Sequence, residues 1–179
     1  MNKFGVVAFF CLVPMVITSC ARYLESGTED IHAEFPNAED KGGWQINSSE
    51  KREESIYTSY KHTNENTVNC TELIEYHNVR KSITFPTMES MVAQIKATWA
   101  EHCKTATQKV VEQHENDILF QITLADCSDK PDQIRITRLF YGRWNIFRLT
   151  YIGRNTTQEQ IDHVTNVWSN ASVSLKLNP

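Results

Sequence analysis

Arginine is concentrated in residues 130–154, a stretch in which Asp132 is the only acidic residue. A guanidinium presents several N–H donors in a planar fork that matches carboxylate and phosphate oxygens. If neighbouring strands align Arg138 with Arg148, the stretch forms one basic face. This pattern predicts a surface that binds an acidic protein, a glycan or a phosphate-bearing ligand. Its candidate residues are Arg135, Arg138, Arg143 and Arg148. The alternative is a solvated sheet face whose arginines lie over apolar surface or pair with the chain's own acids.

Candidate metal ligands occur, but their spacing does not favour a metal site. The potential zinc ligands are His102, Cys103, His114 and Cys127. They lack the close C-x-x-C or H-x-x-x-H pairs that preorganise zinc. The potential calcium ligands are Asp126, Asp129 and Asp132. They recur at every third residue, whereas a calcium loop of the EF-hand type needs oxygen ligands at alternate positions and a glycine. We therefore predict neither a metal nor a cofactor.

The sequence does not indicate a set of catalytic residues either. Cys70 and His77 could act as a thiol nucleophile and its base, but no segment places an oxyanion donor beside them. No G-x-S-x-G, Walker or dinucleotide-binding motif occurs. We therefore predict no catalytic residue, and enzymatic activity is the less favoured interpretation.

Composition and charge indicate a single globular domain with an export segment. The chain has 179 residues, 40% hydrophobic and 10% aromatic, which is enough to build a packed core. Its formal net charge of -4 argues against a nucleic-acid partner, which would favour a clustered basic excess.

The N-terminus reads as a signal peptide. Lys3 precedes an apolar run of roughly 14 residues, which is shorter than the about 20 that a spanning helix needs. The run ends in Ile17-Thr18-Ser19-Cys20. These residues resemble the lipobox of bacterial lipoproteins. The resemblance implies removal of residues 1–19 and lipidation of Cys20, and Ala21 in place of aspartate points to the outer membrane. Ordinary cleavage after Ala21 is the alternative, and it would give a freely secreted protein.

This resemblance sets the functional expectation. We predict a cell-envelope lipoprotein, anchored to the membrane by its lipid, whose domain binds or scaffolds an unidentified ligand at the periplasmic or outer surface. The alternative is an exported enzyme or inhibitor acting in the periplasm. Four matches to the N-glycosylation pattern keep a eukaryotic secreted origin open, although a chain of this composition yields about two by chance.

The remaining sequence divides into a linker and a domain. Residues 20–43 are acidic and lack apolar periodicity, which predicts a flexible linker, and the domain is expected to occupy residues 44–179. Strands are expected at 55–62, 68–76, 108–113, 118–124, 134–140 and 147–151. A helix is expected from Thr87, and a second from Thr157, where Thr-Gln-Glu-Gln matches a capping box. We predict an α+β fold in which two helices pack on one face of an antiparallel sheet of about four to six strands.

The cysteines of the domain predict one disulfide. Cys103 ends the first helix and Cys127 ends a strand, so a helix packed on the sheet would bring them together. Cys103–Cys127 is the favoured pair, and Cys70 bonded to either one is the alternative.

A second resemblance concerns residues 85–171. The residues that carry it are Cys103, Asp126, Cys127, Pro131, Asp132, Gln133, Ile134, Arg138, Gly142, Arg148, Tyr151 and Trp168. They are similar to a small family of exported proteobacterial domains with a C…DC..PDQ pattern and a final helix containing tryptophan. Lys104 departs from the proline that many members carry. The resemblance implies the same fold and the same cysteine pair, without an activity.

Overall fold

The computed structural model describes residues 27–36, 42–65, 70–81, 86–128 and 130–177. Cys20, the signal peptide and half of the expected linker lie outside these ranges. The elements are β1 Gly27–His32, β2 Trp44–Arg52, β3 Ser55–His62, β4 Glu72–Arg80, α1 Met88–Ala100, β5 Cys103–Gln113, β6 Asp117–Cys127, β7 Gln133–Tyr141, β8 Asn145–Gly153, α2 Gln158–Ser169 and β9 Ser172–Leu177.

Seven strands form one antiparallel sheet in the order β2-β3-β4-β8-β7-β6-β5, and β1 pairs with β9 in a separate two-stranded sheet. The expected α+β class is confirmed in this coarse form, but the predicted number of strands is too low. The missed strands are β1, β2 and β9. β2 is an edge strand that is exposed along most of its length, so it lacks the alternation by which buried strands are recognised.

Both helices begin where the capping residues predict. The Thr87 hydroxyl accepts a hydrogen bond from the Ser90 amide at 3.3 Å, and α1 follows. At α2, Thr157 and Gln160 form the reciprocal capping box, with the Thr157 amide donating to the Gln160 side chain at 2.9 Å. These bonds satisfy amides that have no partner inside the helix.

The helices lie on opposite faces of the sheet, which corrects the expectation of a single covered face. Strand β6 shows this directly, because neighbouring residues of a strand point to opposite sides. Phe120 packs with Val92 of α1, whereas Leu119 packs with Trp168 of α2. We call these the α1 face and the α2 face. Apolar side chains on both sides of β6 require cover on both sides.

The segment expected to be a linker contains a strand and an ordered arm, residues 27–36, which crosses the α2 face. The indole N–H of Trp168, which is fully buried, donates to the Glu34 carbonyl at 3.2 Å. Trp44 donates to the Pro36 carbonyl at 2.8 Å, and Phe35 packs edge-on against Tyr60. The folded region therefore begins by residue 27, before the predicted boundary at residue 44.

Cys103 and Cys127 are joined by a disulfide, as the favoured pairing predicts. They are directly opposite each other in register, at the start of β5 and the end of β6. Cys70 is a buried thiol just before β4. The bond therefore links adjacent strands and closes the loop that contains the β5–β6 hairpin.

Candidate functional site

The predicted basic face is divided between the two sides of the sheet. In the β7–β8 register Arg148 is opposite Leu139, while Arg138 is opposite Leu149. Leu139 packs with the α1 cluster and Leu149 with the α2 cluster. Arg148 consequently lies on the α1 face and Arg138 on the α2 face, which corrects the expectation that they share one surface.

Arg138 is a buried structural cation. Only 3% of the residue is exposed; its guanidinium donates to Glu112 at 2.8 Å and forms an ion pair with Asp117 at 2.5 Å. Arg138 and the Ser169 hydroxyl together lower the pKa of Glu112, the Ser169 hydrogen bond being the larger cause. Two acids already pair with this buried guanidinium, so Arg138 is not available to a ligand.

Arg143 lies in the exposed β7–β8 turn and takes part through its backbone. The carboxylate of Glu29, from β1, accepts the amides of Arg143, Trp144 and Asn145, the last two at 2.9 and 2.8 Å. Gly142 permits this approach, because a Cβ there would be 2.6 Å from the carboxylate. An acid of the N-terminal arm therefore fills this turn.

Of the remaining two arginines, Arg148 lies within a polar area of the α1 face and Arg135 lies at the border of that area. Helix α1 packs against β5 and β6, at one side of this face. The side chains that β3, β4, β7 and β8 present beside it are mostly polar. We call this set the polar face: Tyr57, Ser59, Glu75, His77, Thr137, Arg148 and Thr150. Sequence reasoning identified Arg148 as a binding residue and considered His77 only as a base for Cys70. It missed the other members, because the register of the strands brings them together.

Hydrogen bonds hold much of the polar face in place. The Tyr57 hydroxyl donates to Glu75 at 3.2 Å, and the hydroxyls of Thr137 and Thr150 are 3.1 Å apart. Burial raises the pKa of Tyr57 to about 12, and the negative charge of Glu75 adds to this shift. The phenol therefore remains a neutral donor.

Burial, reinforced by the positive charges of Arg148 and Arg52, lowers the pKa of His77. The imidazole is consequently neutral at physiological pH and adds no charge to the polar face. The positive charge of the polar face itself therefore comes from Arg148.

Arg135 lies at the border between α1 and the polar face. Its guanidinium carbon is 3.3 Å from the centre of the Trp99 ring of α1, and Lys130 lies 4.5 Å from the same ring. Glu75 is 3.8 Å from the guanidinium. Burial lowers the pKa of Arg135 to about 10, so the side chain is still charged at neutral pH.

Arg148 has fewer partners than Arg135 or Arg138. Its Nε is buried and has no hydrogen-bond partner among the described residues, which is also true of the Nε atoms of Arg135 and Arg138. The ion pairs that arginines of β7 and β8 make with described acids involve Arg135 and Arg138. Arg148 thus retains donor capacity for an acceptor from outside this part of the chain.

The structure does not support the other candidate sites, namely a metal site and a thiol nucleophile with its base. Within the ranges that the structure describes, no three His, Cys, Asp or Glu side chains form a group that could hold a metal ion. His77 lies in the middle of β4, whereas Cys70 precedes that strand, which separates the two side chains by roughly 20 Å at about 3.3 Å per residue. They are too far apart to act as nucleophile and base.

The two described helices are both too short or too polar to cross a bilayer. In comparisons with protein families, with curated proteins and with solved structures, no match to this chain was found. The class that the fold and the site define is therefore an α+β domain with an arginine-bearing polar face.

Proposed function

We propose that the protein is a non-catalytic binding domain that recognises an anionic group with its polar face, and that lipid on Cys20 anchors it in the cell envelope. The observation that carries the binding function is the position of Arg148 on the polar face, where its Nε has no hydrogen-bond partner and its guanidinium no ion pair among the described residues. A buried donor without an acceptor costs roughly 1–3 kcal/mol, and an anionic ligand would offset that cost.

The composition of the polar face favours binding over covalent chemistry. Its hydroxyl groups bond to one another, to Glu75 or, for Ser59, to the Ser48 hydroxyl of β2. No described acid forms an ion pair with its imidazole to orient a proton transfer. Arg148 and Arg135 instead supply fixed positive charge beside neutral donors. This arrangement suits recognition of a carboxylate, a sulfate or a phosphate group.

The envelope location rests on the resemblance of Ile17-Thr18-Ser19-Cys20 to a lipobox. Each methylene buried in a bilayer contributes about 0.8 kcal/mol, and one acyl chain alone gives only reversible binding. The several chains of a mature lipoprotein would therefore hold the domain at the membrane permanently.

Anion binding is tested with tripolyphosphate as the probe. We expect the full-length protein to bind it in isothermal titration calorimetry, and Arg148→Gln to weaken the affinity at least about tenfold, which corresponds to about 1.4 kcal/mol. Arg143→Gln is the matched control, because it also removes one arginine but lies in the exposed turn. Equal affinities for the two variants would overturn the proposed role of the polar face.

The anchor is tested by metabolic labelling with a clickable palmitate analogue in a bacterial host. We expect label on the wild-type chain and none on Cys20→Ala. Cys70→Ala is the control, since a buried thiol should not be acylated. Absence of label from the wild-type chain would refute lipidation.

A further inference from the structure

A small cavity lies at the end of the polar face, where β4 begins and β8 ends. Its volume is about 130 Å³, and the residues of interest in its wall are Cys70, Glu75, Lys130, Gln133, Arg135 and Arg154. Protein sites for whole small molecules are larger, roughly 300–1,000 Å³. A cavity of this size accommodates one functional group and leaves the rest of a ligand outside.

Positive charge dominates the wall of this cavity. Lys130, Arg135 and Arg154 come from three different parts of the chain, namely the β6–β7 loop, β7 and the turn after β8. Glu75 accepts from Tyr57 and also pairs with Arg135 at 3.8 Å, so the net positive charge of the wall comes mainly from Lys130 and Arg154. Glu72 also borders the cavity, but its carboxylate accepts from His62 at 2.6 Å on the other side of the sheet.

Two buried donors at the cavity have no acceptor among the described residues. They are Nε2 of Gln133 and Nε of Arg135, which belong to residues that are 6% and 8% exposed. Arg154 is held in place, because its backbone amide donates to the Thr71 carbonyl at 2.8 Å and its guanidinium to the Cys70 carbonyl at 3.1 Å. The cavity thus combines fixed cations with donors that need an acceptor.

We propose that this cavity binds a single phosphate group, so that the ligand of the polar face is a phosphate-bearing molecule. The inference rests on the proposed function, which it makes more specific. A planar carboxylate is satisfied by the fork of one arginine, whereas a tetrahedral phosphate accepts donors from several directions at once. The cations here come from three separate segments of the chain, and Gln133 and Arg135 carry donors that have no acceptor among the described residues.

The test uses inorganic phosphate with the full-length protein in detergent micelles, measured by calorimetry, with acetate at the same ionic strength as the comparison anion. We expect phosphate to bind with a millimolar or lower dissociation constant, and acetate at least about tenfold more weakly. Arg154→Gln should weaken phosphate binding at least about tenfold. Arg143→Gln, which removes an arginine remote from the cavity, should leave it unchanged.

A second variant separates a loss of phosphate binding from a loss of folding. Gln133→Leu keeps a side chain of similar size but removes the donor, so we expect an unchanged or higher melting temperature together with weaker phosphate binding. Phosphate affinity that is unaltered in both Arg154→Gln and Gln133→Leu would overturn the proposal, as would equal binding of acetate.

The outcomes separate this proposal from the proposed function. If Arg148→Gln weakens tripolyphosphate binding while Arg154→Gln leaves phosphate binding unchanged, the polar face binds anions and the cavity does not. If Arg154→Gln weakens phosphate binding while Arg148→Gln leaves tripolyphosphate binding unchanged, the phosphate site in the cavity is supported and the proposed role of the polar face is refuted. Competition by glucose 6-phosphate supports the cavity with a soluble ester as its ligand, and competition by phosphatidic-acid vesicles supports it with a lipid head group.

Discussion

Glu29 offers the sharpest test of how the N-terminal arm is attached. Its carboxylate is 7% exposed and accepts three backbone amides of the β7–β8 turn, as well as the Asn145 side chain at 3.3 Å. Glu29→Gln leaves one acceptor oxygen and turns an NH₂ group toward amide donors. Hydrogen bonds to a charged group contribute about 1.5–3 kcal/mol each, and they are not additive. We expect the variant to lose about 3 kcal/mol of unfolding free energy.

The loss should be visible in both heat and urea. For a chain of this size, 1 kcal/mol shifts the melting temperature by about 2–4 °C, so Glu29→Gln should lower it by about 6–12 °C. Glu34→Gln is the matched control, because it lies on the same arm with an exposed side chain. If the two variants agree within about 0.5 kcal/mol, the carboxylate does not hold the arm and the reasoning fails.

Three further outcomes follow from the same contacts. Arg138→Gln breaks a buried ion-pair network, so it should cost about 3–5 kcal/mol in urea unfolding while leaving the phosphate affinity of the folded protein unchanged. Replacing Cys103 and Cys127 together by serine removes a cross-link spanning 24 residues and should lower the unfolding free energy by about 3.5 kcal/mol, because the unfolded chain gains loop entropy. An unchanged unfolding free energy would contradict this entropic contribution. Because the folded state lowers the pKa of His77, the unfolded chain takes up that proton first as the pH falls, and stability declines below about pH 6.5. The melting temperature of His77→Gln should therefore fall less between about pH 7.5 and pH 5.5 than that of the wild-type protein, and parallel curves would contradict the assignment.

Elements with strong local signals could be predicted from the sequence. The capping residues Thr87 and Thr157 predict where the two helices begin, because a cap depends on residues within one turn. β3 was recognised at its observed bounds, whereas the following strand was placed several residues too early. Its start depends on pairing with β8, which is distant in the chain.

The division of the arginines could have been foreseen. Arg135 and Arg138 are three residues apart in β7, and an odd separation within a strand puts side chains on opposite faces. The run of Ile118, Leu119 and Phe120 likewise signals burial on both sides of β6. The rest of the polar face could not be predicted, because it depends on which strands become neighbours.

Under the proposed anchoring at Cys20, the early start of the folded region changes how far the domain can extend from the membrane. A linker reaching residue 43 would span up to about 80 Å, whereas residues 21–26 span at most roughly 25 Å at about 3.5 Å per residue. Such a short tether would hold the end of the β1–β9 ribbon close to the head groups and limit tumbling. The domain would then meet only molecules that enter this thin layer above the bilayer or are embedded in it.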